Sequence, residues 1–205
     1  NYKVTNFVND KVFSPIETSN VKKLADAAIK ILTKIGMSDA PEELCKLVLA
    51  HGGKLEGKRL IYPTDLITNA IEQHQRIVLL AGQTIENDLY VGGNYVYAGT
   101  GGAAPNLQNP QTNEYVPSKL KDLYNAARLA DRLTNISFFS RSLVAGDIED
   151  PLEFDLSTAA ASLAGTSKHV MVQAAHWSHV IAIAELCYKI AGGEESFRKR
   201  PFLSL

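Results

Sequence analysis

Val96-Tyr97-Ala98-Gly99-Thr100-Gly101-Gly102-Ala103-Ala104-Pro105-Asn106 is the stretch from which the fold is read. A short apolar run, expected as a strand, passes straight into a loop of small residues and ends on a polar side chain. Gly99, Gly101 and Gly102 strip the side chains from the main chain. Bare N–H groups can then approach another molecule, or the chain can turn with φ > 0. α/β proteins place their chemistry where a strand feeds such a loop. The same residues also suit a tight turn packed on a neighbour, and both readings stay open on this stretch alone.

Downstream of it, strand and helix alternate. The pattern predicts a strand over 95–98, then a helix from about 118 to 133 with Leu120, Leu123, Ala127 and Ala130 inward. A strand over 136–139 follows, then a loop and a helix capped by Asp150 with Pro151 at its first position. That helix ends near Gly165. A strand over 169–172, a helix from about 178 to 190 stopped by Gly192-Gly193, and the start of a strand over 201–205 complete the series. Successive strands lie about 33 to 41 residues apart, the spacing of βαβ units with parallel strands. Such regularity points to a (β/α) barrel or a doubly wound sheet. A closed barrel needs eight strands and typically ~250 residues, so the expectation is the front half of a longer barrel.

Upstream the chain reads as helical with one hairpin. Val21, Leu24, Ala28, Ile31 and Ile35 recur at helical spacing, with Ser19 as a candidate cap and Gly36 as the stop. A second helix follows Pro41 with Leu44, Leu47 and Val48 inward. A hairpin broken at Gly57-Lys58 leads to a third helix opened by Pro63. Further extended segments are expected over 77–80 and 89–91. The division is therefore 1–93 as a helical extension with a short hairpin, and 94–205 as the first βα units of a barrel.

Composition bounds the function. With 21 Lys+Arg against 22 Asp+Glu, the net charge of −1 argues against general nucleic-acid binding. No apolar run approaches the ~20 residues that span a bilayer, and no basic-then-apolar leader opens the chain. The expectation is a cytoplasmic protein without membrane partners. Cys45 and Cys187 lie far apart among aliphatic residues and read as buried reduced thiols. No Cys/His cluster has zinc spacing, and no resident metal is expected.

Functional side chains of a parallel α/β fold gather at the carboxyl ends of the strands. That rule selects Gly99, Thr100, Gly101, Gly102 and Asn106, then Ser140 and Arg141, then Gln173, His176 and Trp177. Arg141 has a plain alternative as a surface partner of Asp147 or Glu149. His176 and His179, three apart, fit either packing or a metal pair. The loop lacks the lysine and the following helix of a phosphate cradle. An aromatic ring facing the cavity at the strand ends would hold a quaternary ammonium by cation–π attraction.

The collinear set Gly36-Met37, Gly52-Gly53-Lys54-Leu55-Glu56-Gly57, Ile61-Tyr62-Pro63, Gly99 to Asn106, Leu123-Tyr124-Asn125-Ala126-Ala127-Arg128-Leu129-Ala130-Asp131 and Arg200-Pro201-Phe202-Leu203-Ser204-Leu205 resembles the amino-terminal part of the trimethylamine methyltransferase family. The resemblance implies a TIM-type barrel with a helical amino-terminal extension. It implies transfer of a methyl group from a methylated amine, trimethylamine or a quaternary amine such as glycine betaine, to the cobalt of a corrinoid (cobalamin-type) cofactor carried by a partner protein. It places the chain in one-carbon metabolism, methanogenesis included. The pyrrolysine that some members carry would lie beyond Leu205. On this resemblance, Gly99, Thr100, Gly101, Gly102, Asn106, Arg141, Gln173 and His176 are expected to contact substrate or corrinoid, with no catalytic residue assigned. Arg141 would hold a substrate carboxylate where there is one. A homo-oligomer is expected, and the isolated 205-residue chain is expected not to turn over. The alternatives are a non-catalytic binding or assembly module of the same fold and an unrelated barrel enzyme.

Overall fold

A computed structural model describes residues 16–205; the chain start, read above for an export leader, lies outside them. The first helix, α1 (Thr18–Lys30), continues into a π-helical turn, Ile31–Ile35, and stops at Gly36, whose φ of 71° suits glycine. Then come β1 (Met37–Ser38), α2 (Glu42–Ala50), β2 (Lys54–Glu56), β3 (Arg59–Ile61) and α3 (Thr64–Gln73). The three strands form an antiparallel sheet in the order β1-β3-β2, and β2 turns into β3 at Gly57 as the sequence predicts. Val48, Leu60 and Ile61 are the buried apolar residues here.

The helical spacing of Val21, Leu24, Ile31 and Ile35 marks a helix correctly, and these side chains are 51% to 58% exposed. On α2, Val48 is inward as expected but Leu47 is not, being 59% exposed. Periodicity reports which residues share a face; burial needs an opposing element, and none of the described residues covers this one.

Among the described residues, chain contacts separate 16–76 from Ile77–Leu205. The second unit opens with the antiparallel hairpin of β4 (Ile77–Leu80) and β5 (Leu89–Gly92). The 94 boundary drawn from sequence marks a different event, the onset of alternation. β6 (Asn106–Gln108) and β7 (Tyr115–Pro117) make a second hairpin. There follow α4 (Leu120–Arg132), β8 (Phe138–Ser140), α5 (Pro151–Gly165), β9 (His169–Met171), α6 (Trp177–Ala191), α7 (Glu194–Lys199) and β10 (Leu203–Ser204). β8, β9 and β10 pair in parallel in chain order. The chain is thus a mixed α/β protein of helices and small sheets. No helix among the described residues is long and apolar enough to cross a membrane.

The strand expected over 95–98 does not form. The chain instead meets β8 through a parallel bridge, Gly99 to Phe138, with hydrogen bonds from Ser137 N to Ala98 O at 2.6 Å and from Thr100 N to Phe138 O at 3.4 Å. Val96 stands 75% exposed, and the Tyr97 hydroxyl donates to Tyr90 O of β5. The stretch between the glycines and α4 is no plain loop either. Asn109 Oδ1 accepts from Gln111 N and Thr112 N, and Asn113 turns with φ 62°, which closes the β6–β7 hairpin.

Leu123, Ala127, Ala130 and Phe139 form one apolar cluster; Leu163, Val170, Val172, Ile183, Cys187 and Phe202 dominate another. Burial pushes the Cys187 thiol up to about 11, so it is an inert packing group. α4 and α5 touch closely because Gly165 has no side chain: a Cβ there would lie 2.9 Å from Tyr124 O.

The amino ends of the parallel strands are closed by buried and half-buried polar groups. Lys168 Nζ donates to Ala130 O, Leu133 O and Ile136 O at 2.6, 2.8 and 2.5 Å. Asp131 Oδ1 accepts from Thr166 Oγ1, Ser167 N and Ser167 Oγ. Gln83 Nε2 donates to Leu163 O and Thr166 O. His169 Nδ1 donates to Ala81 O at 2.8 Å, which leaves Nε2 to accept from the Ser204 hydroxyl at 2.6 Å. Arg200 donates two bonds, 2.8 and 2.7 Å, to Asp88. Arg198 and Lys199 of the same basic run stay on the surface, paired to Glu194 and Glu195. The opposite, carboxyl ends carry the loops.

Candidate functional site at the carboxyl ends of the strands

The glycine loop divides into parts with separate reasons. At Gly99 a Cβ would run into the Phe138 ring, so this glycine serves packing. At Gly101 and Gly102 a Cβ would meet no atom within 4 Å, and Gly102 adopts φ 79°. Their bare main chain faces open space. Thr100 fastens the loop to the sheet: Oγ1 donates to Ser140 O at 2.6 Å and accepts from Ser140 N at 2.9 Å. Beyond it, Ala104 bridges Leu143, and Ser118 Oγ donates to Val144 O at 2.7 Å. Asn106 is carried away into β6 and is exposed.

Arg141 follows β8 directly, and its main-chain N–H donates to Met171 O at the end of β9. Neither Asp147 nor Glu149 takes its side chain; Asp147 Oδ1 accepts from Leu120 N instead. The guanidinium donates from Nη2 to Gln173 Oε1 at 3.0 Å and lies 5.2 Å above the Phe154 ring. This couples two residues picked from sequence, Arg141 and Gln173, across the ends of β8 and β9. They line a cavity of about 370 Å³ with Pro151, Phe154, Asp155, Ala174 and Ala175.

Phe154 and Asp155 were not picked from sequence. They ride on the first turn and a half of α5, which starts where predicted: Asp150 Oδ1 accepts from Glu153 N at 2.8 Å and Pro151 is the first residue. Asp155 is only 3% exposed. Its Oδ2 accepts from Ala175 N at 2.7 Å and from His179 Nδ1 at 2.6 Å. No fully enclosed side-chain oxygen or nitrogen among the described residues lacks a hydrogen-bond partner. Both bonds to Asp155 fall on Oδ2, and Asp155 is one of the residues that line the cavity. The available signal was a carboxylate inside an otherwise apolar helical face, Leu152-Glu153-Phe154-Asp155-Leu156.

His176 caps α6, with Nδ1 2.8 Å from Ser178 Oγ, and its ring lies 5.6 Å from Trp177. His179 turns to Asp155, so the two histidines serve different partners although their rings are 5.8 Å apart. The described residues hold no group of three His, Cys, Asp or Glu placed to bind a metal ion. Neither His176, Asn106 nor the glycine loop lines the Arg141 cavity.

The sequence profile of the trimethylamine methyltransferase (MTTB) family matches residues 3–204. Among curated relatives, trimethylamine methyltransferase MttB of Desulfitobacterium hafniense is 24% identical over 180 residues, 87% of this chain and 36% of the relative. Glycine betaine methyltransferase of the same species is 22% identical over 93% of this chain and 40% of the relative. Trimethylamine methyltransferase MttB2 of Methanosarcina mazei is 25% identical over 98% of this chain and 42% of the relative. The chain thus spans about two fifths of the length of the relatives it matches. With nearly every described residue inside the matched span, the chain belongs to the trimethylamine methyltransferase family.

Proposed function

We propose that the protein takes part in moving a methyl group from a methylated amine to the cobalt of a corrinoid carried by a partner protein, and that the chain is the front of a TIM-type barrel. The observation that carries the reading is the family match over residues 3–204. Parallel β8, β9 and β10 in chain order, with Gly99 bridging β8, support the barrel. The cavity at the strand ends supports amine binding, and the relatives' names supply the substrate classes, trimethylamine and glycine betaine.

The corrinoid supplies a reduced metal centre that accepts a methyl group. The main chain at Gly101 and Gly102 fits close approach of a flat ring, since no side chain stands in front of it. The residues of this chain bind and orient. The C–N bond breaks with its electron pair passing to nitrogen, so the nitrogen of a quaternary amine loses its charge and no enzyme nucleophile is needed. Holding the N–CH₃ bond in line and excluding water then carry the rate. Arg141, fixed by Gln173 and Phe154, is placed to grip a carboxylate. Thr100 keeps the glycine loop against β8. His176 and Asn106 belong to the reading as outer contacts. So does self-association, read by native mass, in a cytoplasmic setting.

The test is to incubate the full-length protein and reduced cobalamin with a panel of tertiary and quaternary amines and to follow methylcobalamin absorbance. At least one amine is expected to give the product. Failure of every amine, with binding retained, would leave a binding module in place of an enzyme.

A further inference from the structure

We propose that Asp155 is a positioning residue of the strand-end cavity: its Oδ2 fixes the turn that joins β9 to α6, and that turn decides where Gln173 meets Arg141. This rests on the methyl-transfer reading, in which orientation supplies the rate. It adds a residue that acts through the main chain rather than on the reacting atoms.

The turn runs from Val172 to His176, between the last residue of β9 and the first of α6. It is held from outside along its length. Val172 N donates to Ser204 O of β10 at 3.1 Å. Gln173 Oε1 accepts from Arg141 Nη2 at 3.0 Å. Ala175 N donates to Asp155 Oδ2 at 2.7 Å. His176 closes the turn onto α6 by accepting from Ser178 N.

The two middle ties are unequal. The Arg141–Gln173 bond is exposed, and water replaces either partner there at little loss. The Asp155 tie is sheltered: the residue is 3% exposed. The same oxygen takes a second bond, 2.6 Å long, from Nδ1 of His179, whose side chain is 13% exposed. Hydrogen bonds to a carboxylate are roughly twice as strong as neutral ones, and a site shielded from water strengthens them further. A carboxylate buried in this way needs such donors. The turn supplies one and α6 the other, while α5 carries the acid. One oxygen therefore ties α5, α6 and the turn together. The strong tie sets the turn, and the exposed bond follows it. Gln173 stands two residues upstream of Ala175, so a shift at Ala175 carries Gln173 away from the guanidinium. Arg141, Gln173, Ala174 and Ala175 all line the cavity of about 370 Å³, so one side of that cavity depends on Asp155.

The test uses the full-length protein and the variants Asp155→Ala, which removes both bonds, Asp155→Asn, which keeps an acceptor oxygen, and His179→Ala, which removes one donor. Methyl transfer to reduced cobalamin is followed at steady state with the amine panel, trimethylamine and glycine betaine included. A displaced wall leaves the amine bound but badly aimed. In Asp155→Ala kcat should therefore fall about tenfold while KM moves less than about twofold. His179→Ala should lower kcat about threefold, and Asp155→Asn should stay within about threefold of wild type. A crystal structure of Asp155→Ala should show Gln173 parted from Arg141. Unchanged kcat in Asp155→Ala, whatever its melting temperature, makes Asp155 a stability residue and overturns the proposal. So does Asp155→Asn as slow as Asp155→Ala, since the oxygen on Ala175 N would then not be what acts. Should Asp155→Ala fail to fold, His179→Ala decides, and an unchanged kcat there overturns the proposal. A wild-type protein inert toward every amine sinks the proposed function; the Asp155→Ala or His179→Ala structure then decides this inference. Gln173 unmoved on Arg141 overturns it, and Gln173 displaced upholds it. An active wild type with an equally active Asp155→Ala sinks this inference and leaves the proposed function standing.

Discussion

Replacing Thr100 with valine removes a hydroxyl and keeps the shape. The hydroxyl makes two bonds to one residue, donating to Ser140 O at 2.6 Å and accepting from Ser140 N at 2.9 Å. Each bond contributes about 1 kcal/mol, and the half-buried Ser140 groups regain water only in part, so Thr100→Val should cost about 2 kcal/mol. For a unit the size of Ile77–Leu205 that lowers the melting temperature by about 6 to 10 °C. The local reading is sharper. If the Ser140 amide exchanges when the loop lifts, its protection falls roughly 30-fold, the equivalent of 2 kcal/mol. Hydrogen exchange with residue resolution at Ser140, alongside a thermal melt, measures both. Thr100→Ser keeps the oxygen and should recover at least half of the loss. Unchanged Ser140 protection in Thr100→Val would refute the fastening role. Thr100→Ser as damaging as Thr100→Val would show that the methyl group, not the hydroxyl, matters.

Gly99→Ala puts a Cβ into the Phe138 ring and should cost about 1 to 3 kcal/mol in urea unfolding, whereas Gly101→Ala should stay within about 0.5 kcal/mol; equal effects would undo the division of the loop. Asp88→Asn leaves Arg200 without its charged partner; because Arg200 is 38% exposed and water replaces part of the loss, the cost should be about 2 kcal/mol, and a variant as stable as the parent would show the pair to be idle. Burial holds the His169 imidazole below its ordinary 6.5, against the pull of Ala81 O, so the unfolded chain takes up the proton first. Stability should therefore fall as pH drops below about 6.5, level off below the folded pKa, and lose this slope in His169→Gln; a flat profile from pH 8 to 5 in the parent would contradict it. Burial raises the Asp88 carboxyl, but Arg200 and the Gly82 N–H outweigh it and hold it below 3.8, so its contribution is present above that pH and vanishes as pH falls through the lowered value. Asp88→Asn should shift the acid unfolding midpoint, and an unmoved midpoint would count against the assignment.

Particular residues show where the chain was legible. Asp150-Pro151 announced the start of α5 because cap and first-turn proline act locally, and Gly192 announced the end of α6 with φ 79°. The parallel order of β8, β9 and β10 followed from spacing alone. Burial was less legible: Leu47 has the period of the inner face with Val48 yet is 59% exposed, because an inward face is a tertiary fact. The loop after Gly102 hid a hairpin because its turn rests on Asn109 and Asn113, whose side-chain and backbone preferences carry no periodic signal. At the site, Arg141 and Gln173 were found by the rule of strand ends. Phe154 and Asp155 were not, because they come from the following helix and reach the cavity only through the way α5 returns across the sheet. His176 looked equivalent to His179 in sequence; the position of Asp155 separates them.

The bonds that close the amino ends of the strands also set an order of events. Gln83 waits for Thr166 and Asp88 waits for Arg200, partners 83 and 112 positions further along the chain. At a synthesis rate of about 5 to 20 residues per second, about 5 to 22 s pass between synthesis of the last β5 residue, Gly92, and of Arg200. Within the hairpin, Ile77, Val78, Leu79, Tyr90 and Val91 pair across β4 and β5 and stay partly exposed in the finished fold. The clamp that stabilises the finished protein is thus a late kinetic step, closed only after the chain has reached Arg200.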